Sequence, residues 1–140
     1  NPNIDRERVI EAAKAIGAHQ FIERLPGTYD YDVKERGGVL SVGQRQMLAF
    51  IRAYIYNPAV LVLDEATSSV DTETETMIQA AIDKITAGRT SIIIAHRLAT
   101  IQHADIIMVM DQGQVVETGN HQELLQRDGA YRKLYDLQFV

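Results

Sequence analysis

Two adjacent carboxylates, Asp64 and Glu65, directly follow the apolar segment Val60-Leu61-Val62-Leu63. A segment that is apolar at every position predicts a strand of a parallel sheet with both faces covered. Open sheets of this kind bind ligands beyond the carboxyl ends of their strands, so both acidic groups are expected where chemistry takes place. One carboxylate could support Mg²⁺ through its water shell while the other orients or deprotonates a water molecule. The alternative is a pair of solvated carboxylates at a strand end.

A histidine stands at the corresponding position of the next apolar segment. His96 follows Ile92-Ile93-Ile94-Ala95 and is therefore expected at the same edge of the sheet as Asp64. A lone histidine often serves only as a structural hydrogen-bonding group. Its position leaves that role and a catalytic one open.

A third candidate is the segment Ser41-Val42-Gly43-Gln44, which has the Ser-x-x-Gln spacing of a capping box. The simplest interpretation is a well-capped helix. The alternative is anion recognition, because a helix N-terminus gathers unpaired N–H groups and the positive end of the helix dipole. Gly43 would then let a phosphate oxygen approach the backbone, and Gly37-Gly38 would permit an unusual path into the site.

The elements that position these residues begin with a helical part. Asp5 can cap a first helix that Gly17 ends, and residues 19–25 can form a short second helix. The helix that begins at Ser41 has apolar residues at i, i+3, i+4 and i+7 and ends at Asn57-Pro58.

From residue 58 strands alternate with helices. Strands are predicted at residues 60–63, 91–95, 106–110 and 114–117, and helices at residues 72–87 and 98–102 and near the C-terminus, where Asn120 and Glu123 form a second capping box. The last two strands flank Asp111-Gln112-Gly113, which is typical of a hairpin turn. The pattern predicts an α/β fold with a mainly parallel sheet.

Composition excludes several classes of protein. The 140 residues are 46% hydrophobic and 24% charged, as in a globular domain. A net charge of -5 and the lack of clustered Lys and Arg argue against a nucleic-acid partner. There is no cysteine, which excludes disulfides and thiolate metal sites. The apolar segments are too short to cross a bilayer.

Taken together, these motifs resemble the C-terminal half of an ATP-binding-cassette (ABC) nucleotide-binding domain. Leu40-Ser41-Val42-Gly43-Gln44, here called the signature segment, is similar to the family signature Leu-Ser-Gly-Gly-Gln, and residues 60–65 are similar to the Walker B strand. Ser68-Ser69-Val70-Asp71 resembles the D-loop, and His96 stands where the switch histidine is expected. The resemblance implies a partial P-loop NTPase fold: a helical subdomain, residues 1–57, followed by part of a RecA-like core, residues 58–140.

The resemblance also implies a role for each residue. Asp64 would support Mg²⁺, Glu65 would act on the hydrolytic water, and His96 would contact the γ-phosphate of ATP. The residues Ser41, Val42, Gly43 and Gln44 would bind the γ-phosphate of an ATP held by a second, head-to-tail nucleotide-binding domain. Asp71 would lie across that interface, so hydrolysis would require a homodimer or heterodimer.

Residues 31–37, Tyr31-Asp32-Val33-Lys34-Glu35-Arg36-Gly37, resemble the loop through which exporters contact their transmembrane domain, and are here called the exporter loop. This similarity implies an exporter at the cytoplasmic face of the membrane. Two glycines of the family pattern are replaced in this chain. Val42 replaces the first glycine of the signature, and Lys34 replaces the glycine of the exporter loop.

No glycine of the chain is followed by lysine, so a P-loop is absent from it. We therefore expect a piece of a longer chain, cut after the P-loop half and inactive by itself. The strand that carries the P-loop would pair beside residues 60–63, and its absence should leave a sheet edge and face uncovered. The alternatives are a soluble ABC ATPase of DNA repair or translation and a non-catalytic interaction module.

The missing P-loop should lower the affinity of this chain for nucleotide. Without a loop of backbone N–H groups around the phosphates, the 140 residues should bind ATP only weakly and should not hydrolyse it. Isothermal titration calorimetry measures this directly, and micromolar binding of MgATP to the isolated chain would contradict the expectation.

Overall fold

The computed structural model describes residues 4–64, 72–95 and 98–139. The chain forms two compact units, one of residues 1–63 with 67–92 and the other of residues 64–66 with 93–140. The first unit contains the whole predicted helical subdomain and also the strand and helix that follow it. The boundary between a helical subdomain and a RecA-like core at residues 57 and 58, which the family resemblance implies, stays a prediction.

The first unit begins with helix α1, Arg6–Ile16, and helix α2, His19–Glu23. Asp5 caps α1 by accepting a hydrogen bond from the Glu7 backbone N–H at 3.3 Å, and Gly17 ends it with φ of 82°. Both ends agree with the sequence-based prediction. Helix α2 ends two residues earlier than predicted, and two short 3₁₀ helices follow it at Thr28–Asp30 and Glu35–Gly37.

The core of the first unit lies among three helices. Helix α3, Val42–Tyr56, packs against α1 and against helix α4, Thr72–Thr86. Their apolar faces provide the buried residues Ala12, Ala13, Ile16, Met47, Phe50, Ile51, Ile55, Ile78, Ala81, Ile82 and Ile85. The helices predicted from residue 41 and at residues 72–87 are therefore confirmed, and the apolar periodicity of α3 agrees with its buried face except at Tyr54, which is 38% exposed.

Strands β1, Val60–Asp64, and β2, Thr90–Ile94, are hydrogen-bonded neighbours in a two-stranded sheet, and α4 connects them. A strand–helix–strand connection of this kind is typical of parallel strands. Leu61 is 7% exposed, whereas Val60 and Val62 are 55% and 63% exposed. Because successive strand residues point to opposite faces, the described part of the chain covers the Leu61 face of β1 and leaves the Val60 and Val62 face exposed.

The expectation that both faces of β1 are buried is therefore wrong, and the expectation of an uncovered face is confirmed. In β2, Ile92 and Ile94 are also more than half exposed, at 55% and 51%. The physical reason is that β1 has a covering layer on one side only within the described residues. Covering the exposed face of β1 would still be favourable, because exposed apolar side chains of this size favour association.

The second unit contains helix α5, Leu98–Ile101, and an antiparallel hairpin of strands β3, Ile107–Asp111, and β4, Gln114–Gly119. Asp111 pairs with Gln114, which leaves a two-residue loop. Gln112 and Gly113 have φ of 46° and 79°. Positive φ at both central residues is the pattern of a type I′ turn, so the predicted hairpin is confirmed.

Helix α6, His121–Gln126, and helix α7, Ala130–Phe139, both pack on β4. Their hydrophobic core comprises Ile107, Val109, Leu124 and Tyr131. The hydroxyl of Tyr131 lies 2.7 Å from Nδ1 of His121, so this buried ring keeps a polar partner.

On the opposite face of β3, Met108 and Met110 are each 63% exposed. Among the helices described, none is both long and apolar enough to cross a bilayer.

The open face of β1 and β2 predicts self-association of the 140-residue chain. We expect light scattering to report an apparent mass that rises with protein concentration, because association removes Val62 and Ile92 from water. The double variant Val62→Thr/Ile92→Thr should lower that mass at equal concentration. Leu137→Gln is the matched control, since Leu137 is 80% exposed on α7. A chain that stays monomeric at all concentrations would contradict the prediction.

Candidate functional site

The best-defined part of the candidate site is the N-terminus of α3. Ser41 is its N-cap residue, with extended backbone, and its Oγ accepts a hydrogen bond from the Gln44 backbone N–H at 3.1 Å. The Gln44 side chain completes the capping box, because its Oε1 accepts from the Ser41 backbone N–H at 3.0 Å. This pair fixes the residue at which the helix begins. The capping box predicted from the sequence is confirmed.

The capping box satisfies two of the four N–H groups that have no partner within a helix at its N-terminus. The remaining two belong to Val42 and Gly43, and for neither does the described part of the chain provide a recorded hydrogen-bond acceptor. Ser41 and Val42 are exposed, Gln44 is partly buried and Gly43 is buried. The accessible part of this N-terminus therefore consists mainly of Ser41 and Val42. The approach of a phosphate oxygen at Gly43 stays a prediction.

The acidic strand end is only partly described. Asp64 is the last residue of β1 and is exposed. Glu65, Asp71 and His96 lie outside the described residues, so the sequence-based roles assigned to them stay predictions. No group of three or more His, Asp or Glu that could hold a metal ion occurs among the residues described. A magnesium ion held largely through water does not require such a cluster.

The exporter loop contains one unusual backbone conformation. Lys34 has φ of 58° and ψ of -179°, a region that is essentially restricted to glycine. Asp32 holds it there: the carboxylate accepts a hydrogen bond from the Lys34 backbone N–H at 2.9 Å and from Nζ at 2.7 Å. The bond from the Lys34 side chain, followed by the backbone bond, lowers the pKa of Asp32. A lysine thus adopts a backbone conformation that is typical of glycine.

Arg45 connects this loop to the signature segment and was not singled out by its sequence. Its Nη1 lies 2.6 Å from the Leu40 carbonyl oxygen and 3.5 Å from that of Gly37. Its aliphatic stem passes close to Gly37, where an added Cβ would lie 3.2 Å from both Cγ and Cδ. The only indication in the sequence is an arginine one residue after the capping-box glutamine, and that spacing does not reveal which carbonyl groups it reaches.

Known proteins resemble this chain in sequence and in fold. The family described as ABC transporter matches residues 2–68. An ATP-dependent lipid A-core flippase of Chromohalobacter salexigens is 54% identical over 99% of the chain, and a multidrug export ATP-binding/permease protein of Staphylococcus aureus is 51% identical over 98%. A bacterial Atm1-family ABC exporter with ATP bound aligns over 100% of the chain with a TM-score of 0.86 and 43% identity.

The chain spans only about a quarter, 24%, of the length of each of these relatives. Within that span, the helical part, the capped signature helix and the strand–helix–strand unit of this chain define a piece of a nucleotide-binding domain. The chain belongs to the ABC transporter family, and its similarity to exporters of that family covers its whole length.

The strained backbone of Lys34 predicts that glycine is more stable at this position. Lys34→Gly should raise the free energy of unfolding by about 1 kcal/mol, because relief of the strain outweighs the greater freedom of glycine in the unfolded chain. Chemical denaturation followed by circular dichroism measures the difference.

Two variants separate backbone strain from other effects. Lys34→Ala removes the ammonium group but keeps the Cβ atom, so it should not stabilise the protein. Asn57→Gly should change little, because Asn57 adopts the ordinary left-handed conformation, with φ of 45° and ψ of 56°, that asparagine tolerates. Equal stability of Lys34→Gly and Lys34→Ala would refute the role of strain.

Proposed function

We propose that this chain is the part of an ABC exporter nucleotide-binding domain that supplies the signature segment and the acidic strand end for ATP hydrolysis. In this proposal two nucleotide-binding domains close head to tail on ATP, and their closure and reopening drive substrate transport across a membrane. The observation that carries the proposal is the capped N-terminus of α3, which forms at the signature segment and leaves the backbone N–H group of the exposed residue Val42 available to an anion. The N–H group of the buried residue Gly43 would join it if the phosphate reached that depth.

Each candidate residue has a role that its chemistry supports. Ser41, Val42, Gly43 and Gln44 would bind the γ-phosphate of ATP held by the opposite domain, since a helix N-terminus favours negative charge. Asp64 at the end of β1 would support Mg²⁺ through its water shell. Mg²⁺ would neutralise charge that develops on the phosphates during hydrolysis.

Three further roles rest on the resemblance of the sequence to the family. Glu65 would orient or deprotonate the attacking water, and His96 would contact the γ-phosphate and help keep the water and Glu65 in line. Asp71 would lie across the interface between the two domains and connect their nucleotide sites. The 140 residues contain no Gly-Lys pair and are not expected to turn over ATP by themselves.

The transmembrane domain is the second partner in this proposal. Residues 31–37 would contact it, and the nucleotide-binding domain would lie at the cytoplasmic face of the membrane. Lys34 and Asp32 are largely exposed in the loop, with 67% and 70% of their side-chain surface accessible, so both are available to such a partner. The relatives named above are exporters, which favours this function over that of a soluble ABC ATPase.

The proposed function is tested in the full-length protein with Glu65→Gln. Removal of the catalytic carboxylate should stop hydrolysis and trap a dimer of nucleotide-binding domains in the presence of MgATP. Size-exclusion chromatography of crosslinked protein, together with phosphate release, measures both effects. Unchanged turnover would reject the catalytic role of Glu65 and with it the proposed site.

A matched pair of variants in the Glu65→Gln background tests the signature segment. Ser41→Ala and Asn120→Ala each remove the N-cap side chain of a capping box, so each should cost about 1 kcal/mol of stability. Only Ser41→Ala should reduce the ATP-trapped dimer, because Asn120 caps α6 and is not assigned to the nucleotide site. Equal loss of the dimer in both variants would assign the effect to helix stability instead of phosphate binding.

A further inference from the structure

The guanidinium group of Arg45 lies between the exporter loop and the start of α3. Its Nη1 donates a short 2.6 Å hydrogen bond to the Leu40 carbonyl oxygen, in the residue before the N-cap. The same nitrogen makes a longer contact of 3.5 Å with the carbonyl oxygen of Gly37, the last residue of the exporter loop. One side chain of the signature helix therefore reaches the backbone on both sides of the turn at residues 37–40.

We propose that Arg45 is a positioning residue that fixes the end of the exporter loop relative to the signature segment. The inference rests on the proposed function for the meaning of the two segments. The contacts themselves belong to a single compact unit of the chain. Arg45 does not bind nucleotide in this proposal. Arg45 instead determines the position of the Val42 and Gly43 N–H groups when the transmembrane domain displaces the exporter loop.

The helix does not require Arg45 in order to begin at residue 42. The reciprocal bonds of Ser41 and Gln44 already cap it, and Arg45 is exposed instead of contributing to the core of α3. Its two contacts extend away from the helix to backbone oxygens that precede it. These contacts therefore constrain the connection between loop and helix more than the helix itself.

The exporter loop and the side chain of Arg45 lie close together at Gly37. It has φ of 68°, and a Cβ atom at this position would lie 3.2 Å from Cγ and Cδ of Arg45. The Gly37 carbonyl oxygen also accepts a hydrogen bond from the Leu40 backbone N–H at 2.9 Å. The turn and the arginine thus share one acceptor, so a shift of the exporter loop must move Arg45 or break its contact.

The positioning role is measured first by hydrogen exchange in the full-length protein. Arg45→Gln should accelerate exchange of the amides of residues 37–40 by about ten-fold, because a charged hydrogen-bond donor is lost from this turn. Arg52→Gln is the matched control on the same helix, since Arg52 is exposed and has no recorded hydrogen bond or ion pair with the described residues. Exchange unchanged by Arg45→Gln would overturn the inference.

The second readout is the steady-state hydrolysis of MgATP by the same protein. Arg45→Gln should lower kcat about ten-fold and change KM by less than two-fold, because misalignment affects the assembled site more than nucleotide capture. Arg45→Lys should recover part of kcat, since its ammonium can still donate to the Leu40 carbonyl oxygen. A proportional change in KM, or no recovery with lysine, would assign Arg45 to general folding and overturn the positioning role.

The two measurements separate this inference from the proposed function. If the unmodified full-length protein did not hydrolyse MgATP, the proposed function would fail, while the exchange experiment would still decide whether Arg45 holds the loop. If hydrolysis were present and exchange at residues 37–40 did not respond to Arg45→Gln, the proposed function would stand and the inference would fail.

Discussion

The reciprocal hydrogen bonds between Ser41 and Gln44 set the geometry on which the candidate site depends. They determine the first residue of α3, and this determines which backbone N–H groups stay without a helical partner. The core then secures the helix, because Met47, Phe50, Ile51 and Ile55 on one face are buried. A cap at one end and an apolar face along its length thus hold the signature segment at a defined place in the first unit.

A capping box is not in itself evidence for a ligand, and the chain contains its own counterexample. Asn120 and Glu123 form the same reciprocal pair at the start of α6, with bonds of 2.9 and 3.2 Å. What distinguishes Ser41 is its surroundings: a longer helix, a glycine in the first turn and a sequence that resembles the family signature. The structural role of the cap and the proposed binding role are therefore compatible.

Local sequence patterns predicted the elements well where a short segment determines its own conformation. Helix α3 has its caps at Ser41 and Asn57, and the hairpin turns at Gln112 and Gly113. Both were predictable because a few neighbouring residues determine capping and turn geometry. The coverage of β1 could not be predicted in this way. Its apolar sequence indicates that burial of both faces is favourable. Whether Val60 and Val62 are buried depends on which other elements pack against the sheet.

The candidate site shows the same limit at the level of single residues. The sequence predicted that Ser41 starts a helix and that Asp64 ends a strand, because each position follows from a local pattern. It could not identify the backbone conformation of Lys34, since lysine normally avoids that region, nor the carbonyl groups that Arg45 reaches. Both depend on how the chain turns between residues 31 and 41, and no periodic pattern encodes that path.

Lys34 and Arg45 are both cations near the same turn, yet their side chains act differently. The ammonium group of Lys34 pairs with Asp32 two residues away, so this bond stays within the loop. The side chain of Arg45 carries several donors at the end of a long aliphatic stem. It therefore reaches from α3 to backbone oxygens of the preceding residues 37–40. Its stem also occupies the space beside Gly37 that any larger residue would need. A glycine at residue 37 and an arginine at residue 45 thus constrain one another, and a change at either residue alters the environment of the other.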